Sequence, residues 1–315
     1  MPGFASLLLP LVLSQPAAPP EDPATQPTMP AFAAQPPVEA TAKRTPLNEA
    51  GTLQLVVEDE ERSVWLRSRV VLRDGLLEMF LCRTKSKEHE SILAADVPAA
   101  ELQAGLLAAG FEAGQPVRFE PEYQPPTGER LAIDVFWTKG DALQSASSKD
   151  WIRHAVNKWH AAPLAKEVAA KLPLDDEEKL RYFEYDADLI YDGRMTDDEF
   201  ERLQTLSDEP AYRQALRTLK DAGTLRPLTA DWVFAGSEWI EFEGTREFAA
   251  DSGNYVCVAN FSDAIIDIDE RSTNTNGALL YEPWTERIPP IGTWVWVRVA
   301  KVRLLATGAA TDEGR

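Results

Sequence analysis

The densest run of chemically capable side chains is Lys85-Ser-Lys-Glu-His-Glu-Ser91, with Glu78 and Cys82 just ahead of it. If Glu88 to Ile92 is extended, His89 and Ser91 point to one side and Glu88 and Glu90 to the other, so the four cannot converge on one ion. Glu78, Cys82 and His89 can still meet across neighbouring strands. A carboxylate and an imidazole suit a divalent metal, joined by a thiolate if the cysteine is free, although the spacing matches no named metal motif. Three uses stay open for Glu78, Lys87, Glu88, His89, Glu90 and Ser91: a pocket for a small molecule or peptide, a metal site held by Glu78 and His89, or a polar turn that only shapes the backbone. A metal-dependent enzyme would centre on Glu78, His89 and Glu90.

Cys82 and Cys257 are the two cysteines of the chain. Cys82 could act as a nucleophile with His89 as base, helped by Lys85 and Lys87, because a thiolate needs a base or positive charge nearby. A Cys82–Cys257 disulfide would abolish that chemistry and tie two distant stretches together in an oxidising compartment. The third reading is two buried, inert thiols.

Asp188-Leu-Ile-Tyr-Asp-Gly-Arg-Met-Thr-Asp-Asp-Glu199 has the outline of a calcium loop, but Ile190 falls on a ligand position. A helical hairpin accounts for it better, with Asp192-Gly193 ending one helix and Thr196-Asp-Asp-Glu199 forming the capping box of the next. Trp294 and Trp296 alternate with Val295, Val297 and Val299, giving a strand with one aromatic face, which is core if buried and a sugar-stacking surface if exposed. Asn260-Phe-Ser262 fits a glycosylation sequon, but its flanks read as strand. There is no phosphate loop, nucleophile elbow, His-Glu-x-x-His or Cys-x-x-Cys.

The elements that must position these residues are short β-branched runs between acidic turns: Leu53–Val57, Ser63–Leu66, Arg69–Leu72, Leu77–Cys82, Val117–Glu120 and Leu131–Trp137, with a helix over Pro98–Ala109. Strands resume at Trp232–Ala235, Trp239–Phe242, Tyr255–Ala259, Ala264–Ile268 and Thr293–Val299. The spacing predicts an α+β fold, an antiparallel sheet domain with a few short helices. Residues 157–223 interrupt it with Ala, Leu, Lys, Arg and Glu at helical spacing and read as an all-helical insertion. Asp175 would cap its second helix, and Ser207 and Gly223 would bracket its last stretch. A faint internal echo is also present, in which Cys82 and Cys257 are each followed, at similar distances, by Gly114-Gln-Pro-Val117 and Gly292-Thr-Trp-Val295.

Residues 1–14 have the layout of a signal peptide, although no Lys or Arg precedes the apolar run from Phe4 to Leu13. Residues 15–46 are rich in Pro and Ala and read as a disordered linker, and 306–315 as a disordered tail. The main domain is then 47–156 and 224–305. An exported, periplasmic or extracellular protein is expected, with no membrane insertion once the signal is removed. A net charge of −19 speaks against nucleic acid, whose phosphates demand a basic footprint.

Leu77-Glu-Met-Phe-Leu-Cys-Arg-Thr-Lys-Ser-Lys-Glu-His-Glu-Ser91, Trp232-Val-Phe-Ala-Gly-Ser237, Tyr255-Val-Cys-Val-Ala-Asn-Phe261 and Thr285-Glu-Arg-Ile-Pro-Pro-Ile-Gly-Thr293 resemble the bacterial YdjY-domain family over roughly residues 50–154 and 228–304. The resemblance implies an exported protein but names no activity. Some relatives carry a Cys-rich segment and a ferredoxin label. Two cysteines cannot hold a four-iron cluster, so no iron–sulfur cofactor is expected, and only a divalent metal stays possible. The sequence thus favours a non-enzymatic exported protein binding a small ligand or an envelope protein, with a metal-dependent enzyme and a thiol or redox protein as alternatives.

Overall fold

Strand-forming runs separated by acidic turns leave every strand with two unpaired edges, and a sheet that curls far enough removes those edges by closing. The computed structural model, which describes residues 34–302 except 176, 243 and 273–278, shows that closure. The chain begins with β1 (Lys43–Pro46), β2 (Leu53–Glu58), the long β3 (Glu61–Val70), β4 (Met79–Arg83), β5 (Ser91–Ala95), helix α1 (Ala99–Ala108), β6 (Arg130–Lys139), β7 (Ala142–Ser147) and β8 (Ile152–His154). An insertion follows with β9 (Trp159–Pro163), α2 (Lys166–Ala169), β10 (Leu180–Phe183), β11 (Asp188–Asp192), α3 (Asp197–Gln204) and α4 (Pro210–Ala222). The chain returns through β12 (Trp232–Phe234), the hairpin β13 (Trp239–Phe242) and β14 (Thr245–Phe248), then β15 (Val256–Cys257), β16 (Ile266–Ile268), β17 (Tyr281–Pro283) and β18 (Trp294–Lys301).

Eight strands form the ring β3-β18-β6-β12-β16-β15-β4-β5 and back to β3. The ring closes because β3 is long enough to pair twice along one edge: Glu61–Leu66 with β2, and Arg69 and Val70 with β5. All ring pairings are antiparallel except β4 with β5 and β15 with β16, which are parallel. Exchanging β3 with β12, β4 with β15, β5 with β16 and β6 with β18 reproduces the same ring, so the barrel has the strand order of two equivalent halves related by a two-fold. Period-two alternation sorts the side chains. Val64, Leu66, Val295, Val297 and Val299 enter the main core with Phe80, Trp151 and Trp232, while Trp65 and Trp296 pack on the outer face.

The α+β expectation is therefore corrected to a mostly-β protein built on a closed barrel. Most ring strands are readable locally, although Val117–Glu120 forms only an isolated bridge and Ser63–Leu66 and Arg69–Val70 are one strand, but the double pairing of β3 is a tertiary event with no local signature. The all-helical insertion is corrected as well. Residues 180–192 form a hairpin that joins β9 in a three-stranded antiparallel sheet, and α4 packs across it over a separate core containing Leu164, Leu189, Tyr191, Leu203 and Leu216. In β11, Leu189 and Tyr191 are buried while their neighbours are more exposed, a strand alternation that the flanking Ala- and Lys-rich helical text disguises. Asp192-Gly193 thus ends a strand, and Asp175 caps no helix. The capping box holds: Thr196 Oγ1 accepts from Glu199 N, and Glu199 Oε2 accepts from Thr196 N at 2.7 Å. Gly223 follows α4 as its C-cap.

The expected linker is shorter than 15–46, because Lys43–Pro46 form β1 against β2 and Val38 and Ala42 pack beside Trp65 and Trp296. The expected signal peptide and tail lie outside the described residues. Among the described residues no helix is long and apolar enough to cross a membrane.

Candidate functional site

Because β4 and β5 are parallel neighbours with Met79 opposite Ser91, residues 84–90 must run back along β4 before β5 can begin. The equivalent pair β15 and β16 imposes the same crossover on residues 258–265. These two crossovers meet. Lys87 Nζ sits 4.2 Å above the Phe261 ring, a cation–π contact linking one half of the barrel to the other. Gly253 permits the approach: its φ is +119°, and a Cβ there would collide with Ser86 Oγ.

On its other side Lys87 Nζ lies 3.3 Å from Glu78 Oε2 and 3.9 Å from Glu90 Oε1. Glu78 is buried. Burial, followed by hydrogen bonding to Glu78, raises the pKa of Glu90, and the Lys87 charge pulls it the other way. The loop chemistry thus converges on Lys87, not on His89. The His89 side chain is 77% exposed and reaches only Glu90, at 3.8 Å. Glu88 accepts from Lys85 N at 2.9 Å and holds the turn, while Ser91 Oγ donates to Leu93 O within the core. Of the predicted set, Glu78, Lys87 and Glu90 come together, and Glu88, His89 and Ser91 do not.

Beside Lys87 opens a cleft of about 740 Å³. Its far wall is the β13–β14 hairpin, with Glu238, Ile240, Glu247 and Phe248, and its near wall is Asp251, Ser252, Asn254, Phe261 and Asp263. Asp263 accepts from Ser252 Oγ at 2.8 Å and from Asn254 Nδ2 at 2.7 Å. The Asn254 side chain is buried, and among the described residues its Oδ1 has no hydrogen-bond partner, an acceptor left unsatisfied behind the wall. Asp251 takes Arg83 Nη1 at 2.8 Å and the N–H of Ala99, fixing the turn to α1. Sequence reasoning missed Asn254, Phe261 and Asp263. The Asp251-Ser-Gly-Asn254 turn composition was the available signal.

Behind the second crossover, Asp267 Oδ1 accepts from Asn260 Nδ2 at 3.0 Å and Oδ2 from Phe261 N at 3.4 Å, while Asn260 Oδ1 accepts from Ser272 N and Tyr123 OH. This network holds Phe261 in place. It also engages both ends of the Asn260 amide in the interior, so the sequon is not a glycosylation site. Burial pushes Asp267 up to about 8, against the pull of its donors.

Cys82 and Cys257 are both free, buried thiols in one apolar cluster with Met79 and Ala264. The register sets Cys257 opposite Met79, so Cys82 stands roughly 10 Å further along the strand, beyond the span of a disulfide. Burial pushes both thiols up, away from the nucleophilic thiolate. His89 does not reach Cys82 as a base in this arrangement. Among the described residues no group of three or more His, Cys, Asp or Glu is placed to hold a metal ion. In the supposed calcium loop, Asp188–Asp192 is strand and Glu199 is engaged by Lys179 at 2.8 Å.

Fold and site together define a closed eight-stranded barrel whose equivalent crossovers meet beside a ligand-sized cleft. Residues 55–163 match the family model of the YdjY domain, the family that the sequence resembles. No curated protein and no solved structure matches the chain.

Proposed function

We propose that this chain is a non-enzymatic, exported binding protein of the cell envelope that takes a small molecule into the cleft beside Lys87. The observation that carries this reading is the cleft lining itself, where the carboxylates of Glu238, Glu247 and Asp263 stand beside the Phe261 and Phe248 rings. Glu238, Glu247 and Asp263 outnumber Lys87, which Glu78 and Glu90 already neutralise, while Asp251 is paired with Arg83. Such a lining favours a cationic or donor-rich ligand with an apolar edge, such as a small amine or amino sugar. The N-terminal apolar run supports export. A metal-dependent enzyme on Glu78, His89 and Glu90 draws less support, since Lys87 occupies the place a cation would take. A thiol or redox role draws less still, with both thiols buried.

Thermal unfolding with ethanolamine, putrescine or glucosamine tests the reading. At least one is expected to raise the midpoint of the wild type and to lose that effect in Asp263→Asn. Equal midpoints with and without all three compounds would remove the cleft as a site for this ligand class.

A further inference from the structure

On β3, Arg67 and Arg69 are two residues apart and share the outer face of the barrel. Across the ladder, Trp294 of β18 lies opposite Arg69, and both guanidinium groups stack on its ring, Arg67 at 5.3 Å and Arg69 at 5.9 Å from the centroid. They border a pocket of about 270 Å³, completed by Thr52, Thr84 and Asp96, that shares no lining residue with the cleft beside Lys87. Among the described residues lining this pocket are two guanidinium groups and one carboxylate, Asp96, in a chain whose net charge is −19.

The arrangement has the parts that recognise an oxyanion. Guanidinium forks match the paired oxygens of a carboxylate or phosphate. Both forks rest against the Trp294 ring, and side chains already packed lose less freedom on binding. Among the described residues Arg69 forms no ion pair, so its donors are available to a ligand. Thr52 is buried with its Oγ1 already accepting from Asn48 Nδ2 at 2.8 Å, which directs its hydroxyl proton elsewhere. Arg67 is partly withdrawn from solvent, and that burial lowers its pKa while Asp96 opposes the change. A bound anion would offset the same loss of solvation.

We propose that Arg67, Arg69 and Trp294 form an anion site for a compact oxyanion, the carboxylate or phosphate group of a small ligand. The pocket admits one such group and little more. The site is independent of the cleft beside Lys87 and stands whether or not that cleft binds amines.

Calorimetry and thermal unfolding of the full chain with inorganic phosphate, and separately with acetate, at ionic strength matched with chloride, decide the matter. Phosphate, acetate or both should bind with measurable heat and raise the midpoint by about 2 °C or more at saturation. Phosphate alone identifies a tetrahedral anion, and acetate alone a carboxylate. Arg69→Gln, at an exposed position, should fold normally and weaken binding at least roughly tenfold. Arg67→Lys keeps the charge but loses the fork and should weaken it as well. If neither anion exceeds the chloride control, or if Arg69→Gln binds as tightly as the wild type, the proposal fails.

Discussion

Asp267 shows how one buried carboxyl can report on the whole network behind the site. Its folded pKa of about 8 lies above the unfolded carboxylate value, so between roughly pH 4 and pH 8 the folded chain holds a proton that the unfolded chain has released. The contribution of Asp267 to stability then falls as pH rises through that window, with a limiting slope of about 1.4 kcal/mol per pH unit for one proton. Denaturant unfolding at pH 5 and pH 8 should show wild type losing stability at the higher pH. Asp267→Asn, which cannot titrate, should lose distinctly less. Parallel pH dependences in the two proteins would mean that Asp267 ionises in the folded state much as it does in the unfolded chain, the donors from Asn260, Phe261 and Ile268 having offset burial.

The crossovers are the elements that would carry the proposed function, and their approach depends on Gly253. Gly253→Ala would impose a left-handed backbone on a residue with a side chain and drive its Cβ against Ser86 Oγ, with Ser86 Cβ only 3.0 Å away. A cost of about 1–3 kcal/mol is expected, together with loss of any ligand response at the cleft, because the loop carrying Lys87 must retreat. An unchanged denaturation midpoint would show that the loop shifts freely. Part of this element was legible beforehand: the polar run after Cys82 contains Lys87, which lines the cleft, and Lys87 meets Glu78 and Glu90 through a local fold. The other wall was not legible. Phe261 and Asp263 reach Lys87 only through the pairing of β4 with β15, and His89 drew notice through its chemistry although its position on the turn leaves it in solvent. Most ring strands were readable from local alternation, whereas the alternation read into Glu88 to Ile92 fails because Glu88–Glu90 form a single 3-10 turn before β5. The closure of the ring, like the second wall, depended on pairings distant in sequence.

At the scale of the molecule, the two cysteines of the internal echo fall on equivalent strands, although Gly114–Val117 lies well ahead of β6 while Gly292–Val295 runs into β18. Cys82 lies on β4 and Cys257 on β15, strands that exchange under the two-fold order of the ring. The insertion falls between β6 and β12, which is the junction between the two halves. Its ends lie side by side: Arg153 bridges Pro227, and His154 N donates to Arg226 O at 2.8 Å. A buried ion pair of Arg153 Nε with Glu282 Oε1, at 2.8 Å, anchors this seam to β17, and Asn157 N adds a bond to Glu282 Oε2 at 3.1 Å. With its own core and adjoining ends, the insertion satisfies the conditions for excision without strain on the barrel. Replacing residues 158–223 by a short Gly/Ser linker should leave a chain that unfolds in one cooperative transition and keeps its response to phosphate or acetate, because Arg67, Arg69 and Trp294 all lie on ring strands. A broad, non-cooperative transition after excision would show instead that the halves of the barrel rely on the insertion to stay closed.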